Sequence, residues 1–230
     1  MAFGLRLRER SRIAVLSPHL DDGILSLGAS IAEAARKGHD VAVVTVFAGD
    51  PDSTNAPGRW DRRAGFATAG EAARTRREED ARACRLVHAR PVWLAFADAD
   101  YDEPRDPDEI SGAIDAAVGA AEAVLVPGRP LLHADHAWLA HVVLARRENR
   151  SIGAYAELPY DVWQDVERCQ PLPVLAEANW TAPRLSLPAR IAKWKAVQAY
   201  ESQLPWLERG LRYRRALLRA RVGHERIAWL

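Results

Sequence analysis

Short apolar runs alternate with helix-period segments along the first two thirds of the chain, and this alternation restricts the fold more than any other feature. Ile13–Ser17 has the pattern of a buried strand, and Gly23–Lys37 follows with Ile24, Leu27, Ile31 and Ala35 at helical spacing and Gly38 as a C-cap candidate. Further strands are predicted at Val41–Phe47, Pro91–Ala97, Ala123–Pro127 and Ile152–Leu158, and further helices at Glu71–Val87, Asp108–Ala121 and His136–Arg147. Two long connections, Asp50–Gly70 and Asp98–Pro107, are rich in Pro, Gly, Asp and Asn or Asp and Pro; loops of this length in a compact domain are usually functional or disordered. Such repetition predicts an α/β fold with a mostly parallel sheet and helices on both faces. The last third departs from it. Trp180–Leu187 is expected as an added antiparallel strand, Ala189–Leu207 as an amphipathic helix carrying Ile191, Trp194, Val197 and Tyr200, and Leu211–Arg221 as a basic helix. No repeat and no clean linker interrupts the chain, which predicts a single domain over residues 1–230 with a C-terminal strand/helix extension.

Ligands of open α/β sheets bind at the carboxyl ends of the strands. Two clusters stand there. The first strand runs into Ser17-Pro18-His19-Leu20-Asp21-Asp22-Gly23, and the fourth into Gly128-Arg129-Pro130-Leu131-Leu132-His133-Ala134-Asp135-His136. An Asp at a helix start is commonly only a cap, so Asp21, Asp22 or Asp135 alone carries little information. A cap accounts for one Asp per cluster and leaves the remaining carboxylate and the histidines unexplained. Two His and one carboxylate with an open position suit catalytic zinc. The spare carboxylate and spare histidine are then what metal-assisted hydrolysis requires, a proton acceptor and a group that steadies a developing oxyanion.

His19-Leu20-Asp21-Asp22 together with His133-Ala134-Asp135-His136 resembles the paired motifs of the PIG-L/LmbE-type N-deacetylases. The resemblance covers most of the chain and implies a Rossmann-like domain and zinc-dependent removal of acetyl or acyl groups from glucosamine-type sugars. Arg76-Arg77-Glu78-Glu79 is similar to the family's R-x-x-E element at Arg76 and Glu79, Asp98 to its sugar-contacting aspartate, and Glu157-Leu158-Pro159-Tyr160 to its fifth-strand acidic segment. Val46–Asp50, Trp60-Asp61 and Tyr200–Gln203 resemble the branch that trims sugars in antibiotic biosynthesis, glycopeptides included. Carried over residue by residue, the resemblance implies that His19, Asp22 and His136 hold one zinc ion. Asp21 is the general base and later the acid, His133 polarises the carbonyl, and Asp135 orients a neighbouring histidine. Arg76 and Asp98 grip sugar hydroxyls. Gly23 departs from the Glu of many relatives, and Leu131 from a Tyr that helps the oxyanion in some, which shifts that work to the metal and His133. Trp60 sits in a long connection, where a ring can stack on a sugar face or simply pack.

The remaining composition excludes other classes. Basic residues number 32 and acidic ones 31 in 230, a net charge of +1, which argues against a nucleic-acid binder. No apolar stretch is long enough to span a membrane. Arg6, Arg8, Arg10 and Arg12 precede no apolar core of a signal peptide, so a cytoplasmic protein without membrane insertion is expected. Cys84 and Cys169 make no disulfide framework. Gly23 and Gly28 lack dinucleotide-fingerprint spacing, and no P-loop or Gly-x-Ser-x-Gly elbow occurs. His39, His88 and His224 read as surface residues, His141 as structural, and the arginines from Arg212 to Arg221 as a solvated face. The small-molecule partner expected is an amino sugar or glycoconjugate. Two other possibilities are the same hydrolysis on a thiol-cofactor precursor or other metabolite, and a non-catalytic Rossmann-like sugar-binding module.

Overall fold

The structure, a computed structural model, describes residues 3, 8–101, 103–146, 150–163, 172–207 and 224–230. Six strands form one sheet: β1 (Arg12–Ser17), β2 (Asp40–Thr45), β3 (Arg90–Trp93), β4 (Ala123–Arg129), β5 (Ser151–Ala156) and β6 (Ile227–Trp229), in the order β3-β2-β1-β4-β5-β6. The first five are parallel, and β6 is antiparallel to β5. The strands are apolar at consecutive positions because both faces are covered. Ile13, Val15, Val41 and Val43 pack under α1 (Asp22–Arg36), α3 (Ala69–Leu86) and α7 (Leu187–Val197). Ala14, Leu16, Ala42 and Val44, one position out of phase, pack under α4 (Pro107–Val118) and α5 (Ala134–Ala145). Chain direction from the first strand reverses between β1 and β4, so their carboxyl ends open a crevice at the switch point.

Helix starts are set by local chemistry. Thr68 accepts from the Glu71 N–H at the head of α3, Asp106 accepts from Asp108 and Glu109 ahead of Pro107 in α4, and Ser186 caps α7. The Asp50–Gly70 connection contains α2 (Arg59–Ala64), closed by Gly65 at φ 95°. Between β5 and α7 the chain forms α6 (Tyr160–Trp163).

The C-terminal third differs from expectation. Trp180–Leu187 forms no strand: only Thr181 pairs, exchanging two 2.9 Å hydrogen bonds with Ile227, and Pro183 withholds the next N–H donor. The antiparallel strand is β6 instead. The Ala189–Leu207 helix stops after Val197 and resumes only as α8 (Leu204–Leu207), with Pro205 inside it. Between the two, Glu79 takes the Ser202 N–H and hydroxyl at 2.7 and 2.8 Å, and the Tyr200 hydroxyl donates to Asp80 at 2.7 Å. These bonds bend Tyr200–Gln203 onto α3, so the second half of the R-x-x-E element is a tether for the C-terminal segment. The third strand ends at Trp93, with a lone bridge at Ala95. Leu211–Arg221 and Cys169 lie outside the described residues.

Glu225, just before β6, is buried against the middle of α1, where it accepts from the backbone N–H groups of Ala29 and Ser30 at 2.9 and 2.8 Å. Lys193 of α7 reaches the same carboxylate at 2.8 Å, with neither side chain exposed. Removing one partner of such a pair strands the other charge without water, so Lys193→Met is expected to lower stability by about 3–5 kcal/mol. The readout is a lower urea midpoint with an unchanged slope. An unchanged midpoint would show that the pair does not hold α7 to α1.

Candidate metal centre and substrate cavity

The turn after β1 is drawn tight by Ser17, whose hydroxyl donates to the His19 carbonyl at 2.6 Å and accepts from the Gly23 N–H at 2.8 Å. A Cβ on Gly23 would stand 3.3 Å from Ser17 and Val43, a tight fit for any larger residue. Asp21 occupies the N-cap position of α1 yet makes no side-chain cap bond, which removes the simplest structural role for its carboxylate. At β4, Gly128 is required because a Cβ would lie 2.6 Å from that of Ala154. His133 then caps α5: its Nδ1 accepts from the Asp135 N–H at 3.3 Å.

The two turns bring their ligating atoms together. His19 Nδ1 lies 3.2 Å from Asp22 Oδ2, His136 Nε2 lies 3.2 Å from the same oxygen, and the two ring nitrogens are 3.1 Å apart. Three ligand atoms on a tetrahedral ion with bonds of about 2.0–2.2 Å stand about 3.3–3.6 Å apart, so this triangle fits a zinc-sized cation after a shift of a few tenths of an ångström. A looser triad of His19, His133 and His136 places its ring nitrogens within 4.8 Å of one another. The Asp22 triangle is the tighter of the two, and His133 has already committed Nδ1 to its cap.

Each imidazole in the triangle is backed by a carboxylate. His19 Nε2 meets Asp135 Oδ2 at 2.9 Å, and His136 Nδ1 meets Glu157 in a very short contact. Such partners orient a ligand histidine and raise its basicity. The electrostatics favour positive charge at the centre. Burial alone would lower the His19 pKa, but Asp135 and Asp22 carry it up to about 9. His136 rises likewise against its burial, through Asp22 and Glu157. Burial would raise Asp22, yet His136 and His19 hold it well below the usual carboxylate range. Protonated imidazoles and a divalent cation answer the same demand. Asp21 goes the other way: burial first, then the Asp22 charge, pushes its carboxyl up. Burial and the neighbouring imidazoles lower His133, so its ring is neutral near pH 7 with the proton assigned to Nε2, since Nδ1 accepts.

A cavity of about 500 Å³ opens above the triangle. Asp21 and His133 face it, as do the expected substrate residues Arg76, Asp98 and Trp60. Arg76 is paired with Asp61 at 2.5 Å, too poorly aligned to count as a hydrogen bond. Asp98 accepts from the Asp100 N–H at 2.8 Å, and Asp100 in turn accepts from the Trp60 N–H at 2.9 Å. Trp60 is 37 % exposed and packs edge-on against Trp206, with ring centroids 6.4 Å apart. His88, His141 and His224 are exposed and outside the cavity. Glu157 belongs to the acidic segment of the resemblance, and its place at the carboxyl end of the strand beside β4 is the sequence signal for its role. Tyr160, whose ring centroid is 5.8 Å from that of His136, belongs to the same segment as Glu157, whereas Arg105, which holds Asp135, carries no motif that would reveal it.

A family model described as PIG-L, GlcNAc-PI de-N-acetylase, matches residues 14–146. A 2'-N-acetylparomamine deacetylase of Streptomyces fradiae is 38% identical over 149 residues, 57% of this chain and 50% of that protein, so the chain spans about half the length of the curated relative it matches. Among solved structures, a deacetylase in the biosynthesis pathway of teicoplanin superposes with a TM-score of 0.79 at 25% identity, covering 95% of this chain and 97% of that one. An antimicrobial-reagent pseudoaglycone deacetylase superposes with a TM-score of 0.77 at 28% identity, covering 96% of each. No helix among the described residues is long and apolar enough to cross a membrane.

Proposed function

The chain belongs to the PIG-L family, and from that premise we propose that it is a zinc-dependent amidohydrolase, one domain over residues 1–230, that removes an N-acetyl or N-acyl group from a glucosamine-type sugar. The acceptor is a small amino sugar or glycoconjugate of the kind trimmed in antibiotic biosynthesis, and the setting is cytoplasmic. The single observation that carries this is the triangle of His19, Asp22 and His136, with each imidazole backed by a carboxylate.

His19, Asp22 and His136 would hold the metal, which when bound supplies Lewis acidity and a water acidic enough to be used near pH 7. The chain's own groups account for the rest. Asp21 accepts the proton of the attacking water and returns that proton to nitrogen. The C–O bond forms, the C–N bond breaks, acetate departs, and the proton from Asp21 leaves with the amine, which is a poor leaving group as an anion. His133, neutral and donating from Nε2, faces the amide oxygen as it gains charge. Asp135 and Glu157 keep the two ligand rings turned inward. Arg76 and Asp98 supply hydrogen bonds to sugar hydroxyls, and Trp60 a flat surface at the rim. A buried carboxylate beside the triangle that makes no cap bond, Asp21, favours catalysis over a binding-only module.

The test is acetate release from a panel of N-acetylglucosamine conjugates, with mass loss of one acetyl group as the second readout. Release that persists after metal is stripped would end the proposal. Asp98→Ala should raise KM by about 3–10-fold, the worth of one hydrogen bond of 0.5–1.5 kcal/mol, while metal content and kcat change little. An unchanged KM would take Asp98 out of substrate recognition.

A further inference from the structure

Asp135 is fully buried and serves three donors at once. Its Oδ2 takes His19 Nε2 at 2.9 Å and the Ala99 N–H at 3.1 Å, and its Oδ1 takes the Arg105 guanidinium at 2.5 Å. The other arm of Arg105 donates to the Ala97 carbonyl at 3.1 Å, and the guanidinium carbon lies 4.4 Å from the ring centroid of Phe47. Ala97, Ala99 and Arg105 all belong to the connection between β3 and α4, the segment that brings Asp98 and Asp100 to the cavity. Both ends of that segment are therefore fastened to the carboxylate that orients a triangle histidine.

We propose that Arg105 is a positioning residue that couples the centre to the cavity wall: through Asp135 it makes the orientation of His19 and the placement of Ala97 and Ala99 in that wall one event. The inference rests on His19 being a metal ligand. A guanidinium suits the task because its planar fork bonds two acceptors in fixed directions while its face rests on an aromatic ring. Lysine keeps the charge and loses the fork. When a cation fixes His19, Asp135 is fixed with it, and so is the Ala99 N–H. The wall that receives the sugar then tightens as the metal enters, and a loosened wall weakens the metal in return, because coupling is reciprocal.

The experiment needs no substrate. Zinc affinity is measured on the metal-free protein by competition with a chromogenic chelator, and amide hydrogen exchange of the peptide spanning 97–106 is followed with and without zinc. In the parent protein, zinc is expected to slow exchange in this peptide. Arg105→Met should weaken zinc about 10–100-fold, the usual effect of losing an outer partner, and should abolish the zinc-dependent slowing. Arg105→Lys should recover much of the affinity, through its charge, but not the slowing, because it cannot also hold Ala97. Zinc-dependent slowing that survives in either variant would overturn the proposal, and so would parent-like zinc affinity in Arg105→Met. The Lys variant decides the matter if the Met variant does not fold. Failure of the underlying ligand assignment would look different: His19→Ala would bind zinc as tightly as the parent.

Discussion

Asp21→Asn is expected to keep its zinc and lose about 10²–10⁴-fold in turnover, the range a general acid–base group contributes. The substitution preserves size and removes only the ability to take a proton. Asp21 makes no cap bond, sits at the floor of the cavity beside the triangle, and is 8 % exposed, so no other role is disturbed by the change. Its effect should fall on kcat with KM nearly unmoved, because the proton transfer belongs to the transition state. Single-turnover rates measured beside zinc stoichiometry decide it. A variant that turns over normally, or one that has shed its zinc, would show that the neighbouring aspartates have exchanged roles.

The adjacent substitution should give the opposite pattern. Asp22→Asn exchanges the anionic corner of the triangle for a neutral amide, and the protein should lose both metal and activity; chelation of the parent should mimic it and added zinc should reverse it. Asp22 lies between two imidazoles that both draw on its charge, at 3.2 Å from each. Removing it leaves those rings facing each other at 3.1 Å with nothing between them to offset their positive charge. The loss of affinity should exceed the roughly 10–100-fold typical of an outer partner such as Asp135. Metal retained at parental stoichiometry in Asp22→Asn would mean that His133 completes the ligand set.

The floor of the site was legible in the sequence because its residues are close together along the chain. His19, Asp21 and Asp22 share one turn, as do His133, Asp135 and His136, and the sheet rule puts both turns on one edge. What supports the floor was not legible. Glu157 and Arg105 reach His136 and Asp135 across 21 and 30 positions, and nothing local to either residue announces its partner. The alternating strands and helices up to β5 stand close to where hydrophobic period places them, since burial on both faces leaves strands little freedom in composition, although β3 ends four residues early and α2 interrupts the first long connection. Beyond β5 the period misled. Ala189–Leu207 keeps an apolar stripe through a bend that Pro205 and the carboxylates of Glu79 and Asp80 impose, and a strand as short as β6 gives too few positions for alternation to register.

Floor and walls hang from different strands. The His/Asp floor descends from β1 and β4, whereas the 50–70 and 98–107 connections that surround it descend from β2 and β3. This division makes the first connection the more exchangeable of the two, provided a graft keeps a carboxylate at Asp61 for Arg76 and the Trp60 N–H for Asp100. Between Ala48 and Thr68 it could be replaced by the corresponding stretch of a relative, and acceptor preference would travel with the graft while the chemistry stayed behind. The second connection is a less free donor site, because any graft there must preserve two splice points, Ala99 and Arg105, bolted to the carboxylate behind His19. New acceptor ranges on this scaffold should therefore be easier to evolve, or to engineer, by rewriting the segment after β2 than by rewriting the one after β3.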